Sequence, residues 1–213
     1  MGQQVKREVE ITLNSINIPV TGAGLDTTTS HLLTTDLVWP RVGVARKSAS
    51  QSCTLQEGTA DFETANWGRR ILFKETVEGR FALAVTVTEA LDDEELENIL
   101  RFWAGAALAI GADAVDSAAG PLGDLAAAPL EYAAKAVAKY PGATLLAEGL
   151  AELDATDFPP SGGERLLTVR LVAARKLLRV TRRTVNGRSR VTRKTLLEKG
   201  ADNGEVTLAV RTL

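Results

Sequence analysis

Residues 80–90 read Arg-Phe-Ala-Leu-Ala-Val-Thr-Val-Thr-Glu-Ala. Phe81, Leu83, Val85 and Val87 recur at every second position, with Thr86 and Thr88 among the residues between them. A period of two puts the first set on one face of a strand and the threonines on the other. Val, Thr and Phe also favour an extended chain, because branched and aromatic side chains fit a pleated surface better than a helix. This stretch therefore predicts a strand, and the reading extends outward from it in both directions.

Upstream, Val9, Ile11 and Leu13 alternate with Glu10, Thr12 and Asn14. Ile16 and Ile18 continue after a one-residue change of phase, which predicts a strand with a bulge near Ser15. Residues 21–36, rich in Gly, Thr and Asp, read as a loop. Residues 37–45 and 52–56 read as strands, and residues 70–76 and 80–90 as a hairpin turning at Glu78-Gly79. Downstream, residues 144–155 fit either a strand or a helix, the strand being favoured, and Phe158 to Gly163 (Phe-Pro-Pro-Ser-Gly-Gly) reads as a loop. Leu167, Val169 and Leu171 alternate with polar positions, and Val206, Leu208 and Val210 form a terminal strand. Asn186-Gly187, between Val- and Thr-containing runs, is the strongest turn signal in the chain.

The middle reads differently. Asp92 and Asp93 precede Glu94, Glu95 and Glu97, acids where a helix N-terminus favours negative charge. Leu96, Leu100, Trp103 and Ala107 recur at spacings of three and four. Gly120-Pro121 breaks that pattern, and a second helical stretch runs to Tyr140, interrupted by Pro129. The expectation is an Ala/Gly-rich helical hairpin at about 92–140, inserted between strand regions 5–90 and 143–213.

With 213 residues the chain is long for one domain and short for two, and it is read as a single domain over 1–213. Strands, a helical pair and more strands predict a mainly β, α+β chain. The expected architecture is an antiparallel β-sandwich with the helical hairpin in one strand connection. That layout is similar to C2-like sandwiches in architecture alone, and no motif carries a family assignment.

Charge is unevenly placed. From Glu89 to Glu164 there are fifteen acidic and three basic residues, a net of −12. From Arg165 to Lys199 there are twelve basic residues and one acidic residue, a net of +11. The overall charge of −2 hides both blocks. Opposite blocks in one chain point to a charged partner, a second copy of the chain among them.

Turn chemistry places the basic half. A two-residue turn at Asn186-Gly187 pairs Val185 with Arg188, Arg183 with Arg190, Thr181 with Thr192 and Arg179 with Lys194. The opposite face pairs Arg182 with Val191 and Val180 with Arg193. A ribbon without an apolar face cannot be a core strand pair, so it reads as a projecting arm. Arg179, Arg182, Arg183, Arg188, Arg190, Arg193 and Lys194 are its candidate anion-binding residues.

Other constellations carry less. Cys53 and His31 are the sole cysteine and histidine, which excludes an internal disulfide. They lack the local signature of a nucleophilic pair. Asp92-Asp93-Glu94 and Asp154/Asp157 offer calcium oxygens without loop spacing, and Gly22-Ala23-Gly24 is too short for a phosphate loop. Trp39, Trp67 and Trp103 read as core or interface anchors. No cofactor, metal or catalytic group is expected. The amino-terminal stretch has no apolar signal segment and no run is long enough to span a bilayer, so a cytoplasmic or unassigned location is expected.

The sequence is thus read as a non-enzymatic structural or interaction protein. Its expected partner is an acidic protein surface or another copy. Anionic lipid, on the C2-like layout, is the alternative. Nucleic acid is disfavoured because the arm lacks aromatic residues for base stacking. An enzyme without a recognisable motif is the third reading.

Overall fold

The computed structural model describes residues 5–21, 30–39, 47–62, 70–90, 143–185 and 188–213. Among these residues eleven strands are formed: β1 (Lys6–Asn17), β2 (Ser30–Val38), β3 (Lys47–Thr54), β4 (Thr59–Asp61), β5 (Arg70–Glu78), β6 (Arg80–Ala90), β7 (Ala143–Asp154), β8 (Glu164–Ala173), β9 (Leu177–Val185), β10 (Arg188–Leu197) and β11 (Asp202–Thr212). One 3-10 turn, Ala155–Asp157, follows β7.

Nine strands make one antiparallel sheet in the order β3-β2-β6-β7-β8-β11-β1. β5 and β4 share the far side of β1: β5 pairs along Lys6–Leu13 and β4 along Ser15–Asn17. The two ends of the sheet, β3 and β5, approach each other without a ladder and are bridged by Lys47 Nζ to Glu75 Oε1 at 3.2 Å. The sheet therefore curls into a nearly closed barrel.

Alternation explains the interior. Phe81, Leu83, Val85 and Val87 of β6 join Leu33 and Leu37 of β2, Val9, Ile11 and Leu13 of β1, and Val206, Leu208 and Val210 of β11 in one core. Each buried side chain of this size contributes about 2 kcal/mol by leaving water. Phe158, from the loop after β7, stacks on Phe81 with ring centroids 6.1 Å apart and joins the same core. The bulge expected near Ser15 is present: the β1–β11 register slips between Leu13 and Ser15. This shift keeps Ile16 and Ile18 buried after the change of phase.

The expected α+β sandwich with a helical hairpin is corrected. Among the described residues there is no α-helix, and the strands form one nearly closed barrel. The helical reading of 92–140 lies outside the described residues; the strands on either side of it, β6 and β7, are direct neighbours. The physical reason for the barrel is continuity. Long β1 pairs on both sides, with β11 on one and β5 and β4 on the other, so no gap separates two sheets.

Two local expectations are also corrected. β5 and β6 are consecutive but not a hairpin: β5 pairs β1, while β6 pairs β2 and β7. Gly79, at φ 61, turns the chain between them and is tied to both sides, with its N–H on Val5 O (3.3 Å) and its carbonyl accepting from Ala155 N (2.9 Å). Residues 30–36 were expected in a loop and are strand β2. Every residue from His31 to Leu37 is buried, so the two-faced burial hides the alternation that marks a half-exposed strand. Residues 144–155 are strand β7 up to Asp154, as expected. Among the described residues no helix is long and apolar enough to cross a membrane.

Candidate functional site

Among the described residues the barrel carries one appendage. β9 and β10 form a separate two-stranded sheet, inserted between β8 and β11. Its root is pinched by paired backbone bonds: Ala173 N donates to Ala201 O (2.8 Å) and Gly200 N donates to Ala173 O (2.8 Å). Lys176 Nζ meets Glu198 Oε1 at 2.8 Å across the same neck. Leu177 is buried, and Leu196 and Leu197 pack on the barrel core, so apolar contact ends where the cationic rungs begin. From that root, the nine residues of β9 run about 30 Å at ~3.4 Å each.

The register is the one expected from the Asn186-Gly187 turn. Val185 faces Arg188, Arg183 faces Arg190, Thr181 faces Thr192 and Arg179 faces Lys194; Arg182 faces Val191 and Val180 faces Arg193. Residues 186 and 187 themselves lie outside the described residues. Arg179, Arg183, Arg190, Arg193 and Lys194 are exposed, as are Thr184, Ser189, Thr192 and Thr195. Val191 is 46% exposed, which confirms that this face has no core beneath it. Arg182 and Arg188 are placed by register alone. Directly opposed like charges destabilise a strand pair. The arm holds two such rungs, Arg183/Arg190 and Arg179/Lys194, and among the described residues no carboxylate is paired with these four cations.

The acidic block is more mixed. Nine of its fifteen acids lie outside the described residues. Of the others, Glu152 pairs with Arg80 at 3.0 Å. Asp154 caps the 3-10 turn, accepting from Thr156 N at 2.9 Å, and Asp157 accepts from Asp154 N at 2.8 Å. The Thr156 N–H, and then its hydroxyl, hold the Asp154 carboxyl below the usual carboxylate range. Together these two carboxylates form the capping box of the turn. Burial raises the Glu148 carboxyl, with nearby Lys199 acting the other way.

The structure also assembles a row that the sequence scatters. His31 of β2 stands directly opposite Cys53 of β3 and directly opposite Glu89 of β6. All three are buried. Burial pushes the Cys53 thiol up to about 12, which favours its protonated form at neutral pH. Among the described residues no group of three or more His, Cys, Asp or Glu side chains is placed to hold a metal ion. Nothing local in the sequence marks this row, because its members come together only through strand order. Trp39 packs partly buried on the core, while Trp67, Trp103, Gly22 to Gly24 and Asp92 to Glu94 lie outside the described residues. No known family model matches the chain, and no curated protein is significantly similar to it.

Proposed function

We propose that the protein is a non-enzymatic interaction module that self-associates, the basic arm of one copy meeting the acidic block of another. One observation carries this reading. The arm stacks like-charged rungs with no paired carboxylate among the described residues, while the same chain holds a block of net charge −12. Counter-charge from outside relieves the repulsion between the rungs, and a second copy supplies it. The arm is joined to the barrel by a pinched root, so it can reach a neighbour without disturbing the core.

Light scattering across a salt series tests the reading. Screening lengths fall from ~10 Å at 0.1 M to ~3 Å at 1 M salt, so assembly should be largest at low salt and fall as salt rises. A monomer at every salt concentration overturns the proposal. Binding to anionic vesicles, with no self-association, would favour the lipid reading instead.

A further inference from the structure

The two faces of the arm are not equivalent. On one, Arg179/Lys194 and Arg183/Arg190 flank the Thr181/Thr192 rung, and Arg188, opposite Val185, adds a fifth cation at the turn end. Rungs on one face repeat every two residues, about 6.8 Å, so the four opposed cations mark the corners of a strip about 14 Å long with the Thr181/Thr192 rung between them. On the other face, each cation stands opposite a valine: Arg182 against Val191 and Arg193 against Val180. There the charges are diagonal rather than opposed.

Resting on the self-association reading, we infer that the arm docks through the face that carries the opposed cations Arg179, Arg183, Arg190 and Lys194, with Arg188 beside them, onto carboxylates of the acidic block of a second copy. One argument selects this face. Directly opposed cations repel most, so an anion seated between them relieves most. The choice of a second copy over nucleic acid follows from the −12 block on the chain itself and from the absence of any aromatic residue between Leu177 and Leu197. The contact is arm to block, so it is heterologous: each copy offers one arm and one block.

Two double variants of the full chain test this, with equilibrium sedimentation at low salt as the readout. Arg183→Gln/Arg190→Gln removes an opposed rung; Arg182→Gln/Arg193→Gln removes the same charge from the other face. The first pair should weaken association by at least about tenfold, as loss of several exposed ion pairs implies, and the second by no more than about threefold. Fluorescently labelled Arg183→Gln/Arg190→Gln protein should still be captured by unlabelled wild type, because its acidic block is intact. Equal weakening by the two variants overturns the choice of face and leaves self-association standing. Failure of wild type to capture the first variant overturns the arm-to-block contact in favour of arm-to-arm pairing. A wild type that stays monomeric at low salt but binds duplex DNA or phosphatidylserine vesicles overturns both this inference and the reading beneath it.

Discussion

Asn203 holds the barrel together at a point where no ladder does, and its replacement should be costly. The side chain is fully buried at the start of β11. Its Oδ1 accepts from Val20 N at 3.1 Å, and its Nδ2 donates to Val20 O at 3.2 Å and to Leu146 O at 3.4 Å. One amide thus imitates a strand partner for the chain leaving β1 and also reaches β7. In Asn203→Ala the Val20 N–H and C=O lose the partner the amide gave them. Leu146 O retains the N–H of Ala174 at 3.4 Å. An orphaned buried polar group costs about 1–3 kcal/mol. Two partly buried ones plus a small void give a loss of about 2–4 kcal/mol, a large share of the ~5–15 kcal/mol that holds a typical domain. Urea unfolding followed by tryptophan fluorescence measures this, with an unchanged slope showing that the same surface is exposed. Asn203→Asp sharpens the test. Its carboxylate keeps the acceptor but loses both donors, and a buried charge resists ionisation, so this variant should be less stable than Asn203→Ala at pH 7 and regain stability as pH falls. A loss below about 1 kcal/mol for Asn203→Ala, with the slope unchanged, would refute the reasoning.

Three further outcomes are expected. Cys53 should react with a thiol reagent only on unfolding; because its folded value lies near 12, above the ordinary 9.0, its contribution to stability is intact below about pH 9 and declines from there towards pH 12, a decline that Cys53→Ala should abolish. Glu148→Gln should raise the urea midpoint at neutral pH and not at pH 4, because burial raises the folded carboxyl and so favours the ionised unfolded chain as pH climbs; an unchanged midpoint at pH 7 would show that Lys199 cancels the burial. Gly204→Ala should destabilise by at least about 2 kcal/mol, since φ is 95 and an added Cβ would lie 2.0 Å from Asn17 O; thermal unfolding within a degree or so of wild type would contradict that geometry.

The arm shows how far local rules reach. Asn-Gly turn preference and a period of two are properties of neighbours in sequence, and together they yield the register of Arg183 with Arg190 and Arg179 with Lys194. The bulge near Ser15 was legible for the same reason: a phase change in alternation has no other remedy in a strand. Strand β2 was not legible. His31 to Leu37 are buried on both faces, which leaves polar Thr34, Thr35 and Asp36 in a run that reads as loop.

By itself the sequence determined which residues face inward along β1, β6, β8 and β11, where the arm turns, and that its cations stand opposed, because each of these follows from contacts a few residues apart. Only the tertiary structure decided which strands are neighbours. It joined β1 to β5 and β4 as well as β11, separated β5 from β6 at Gly79, and curled the sheet until Lys47 met Glu75. It also set Cys53, His31 and Glu89 in one row. Periodicity fixes the face a side chain takes but carries no record of its partner, and partner choice among strands is settled by burying the whole interior at once.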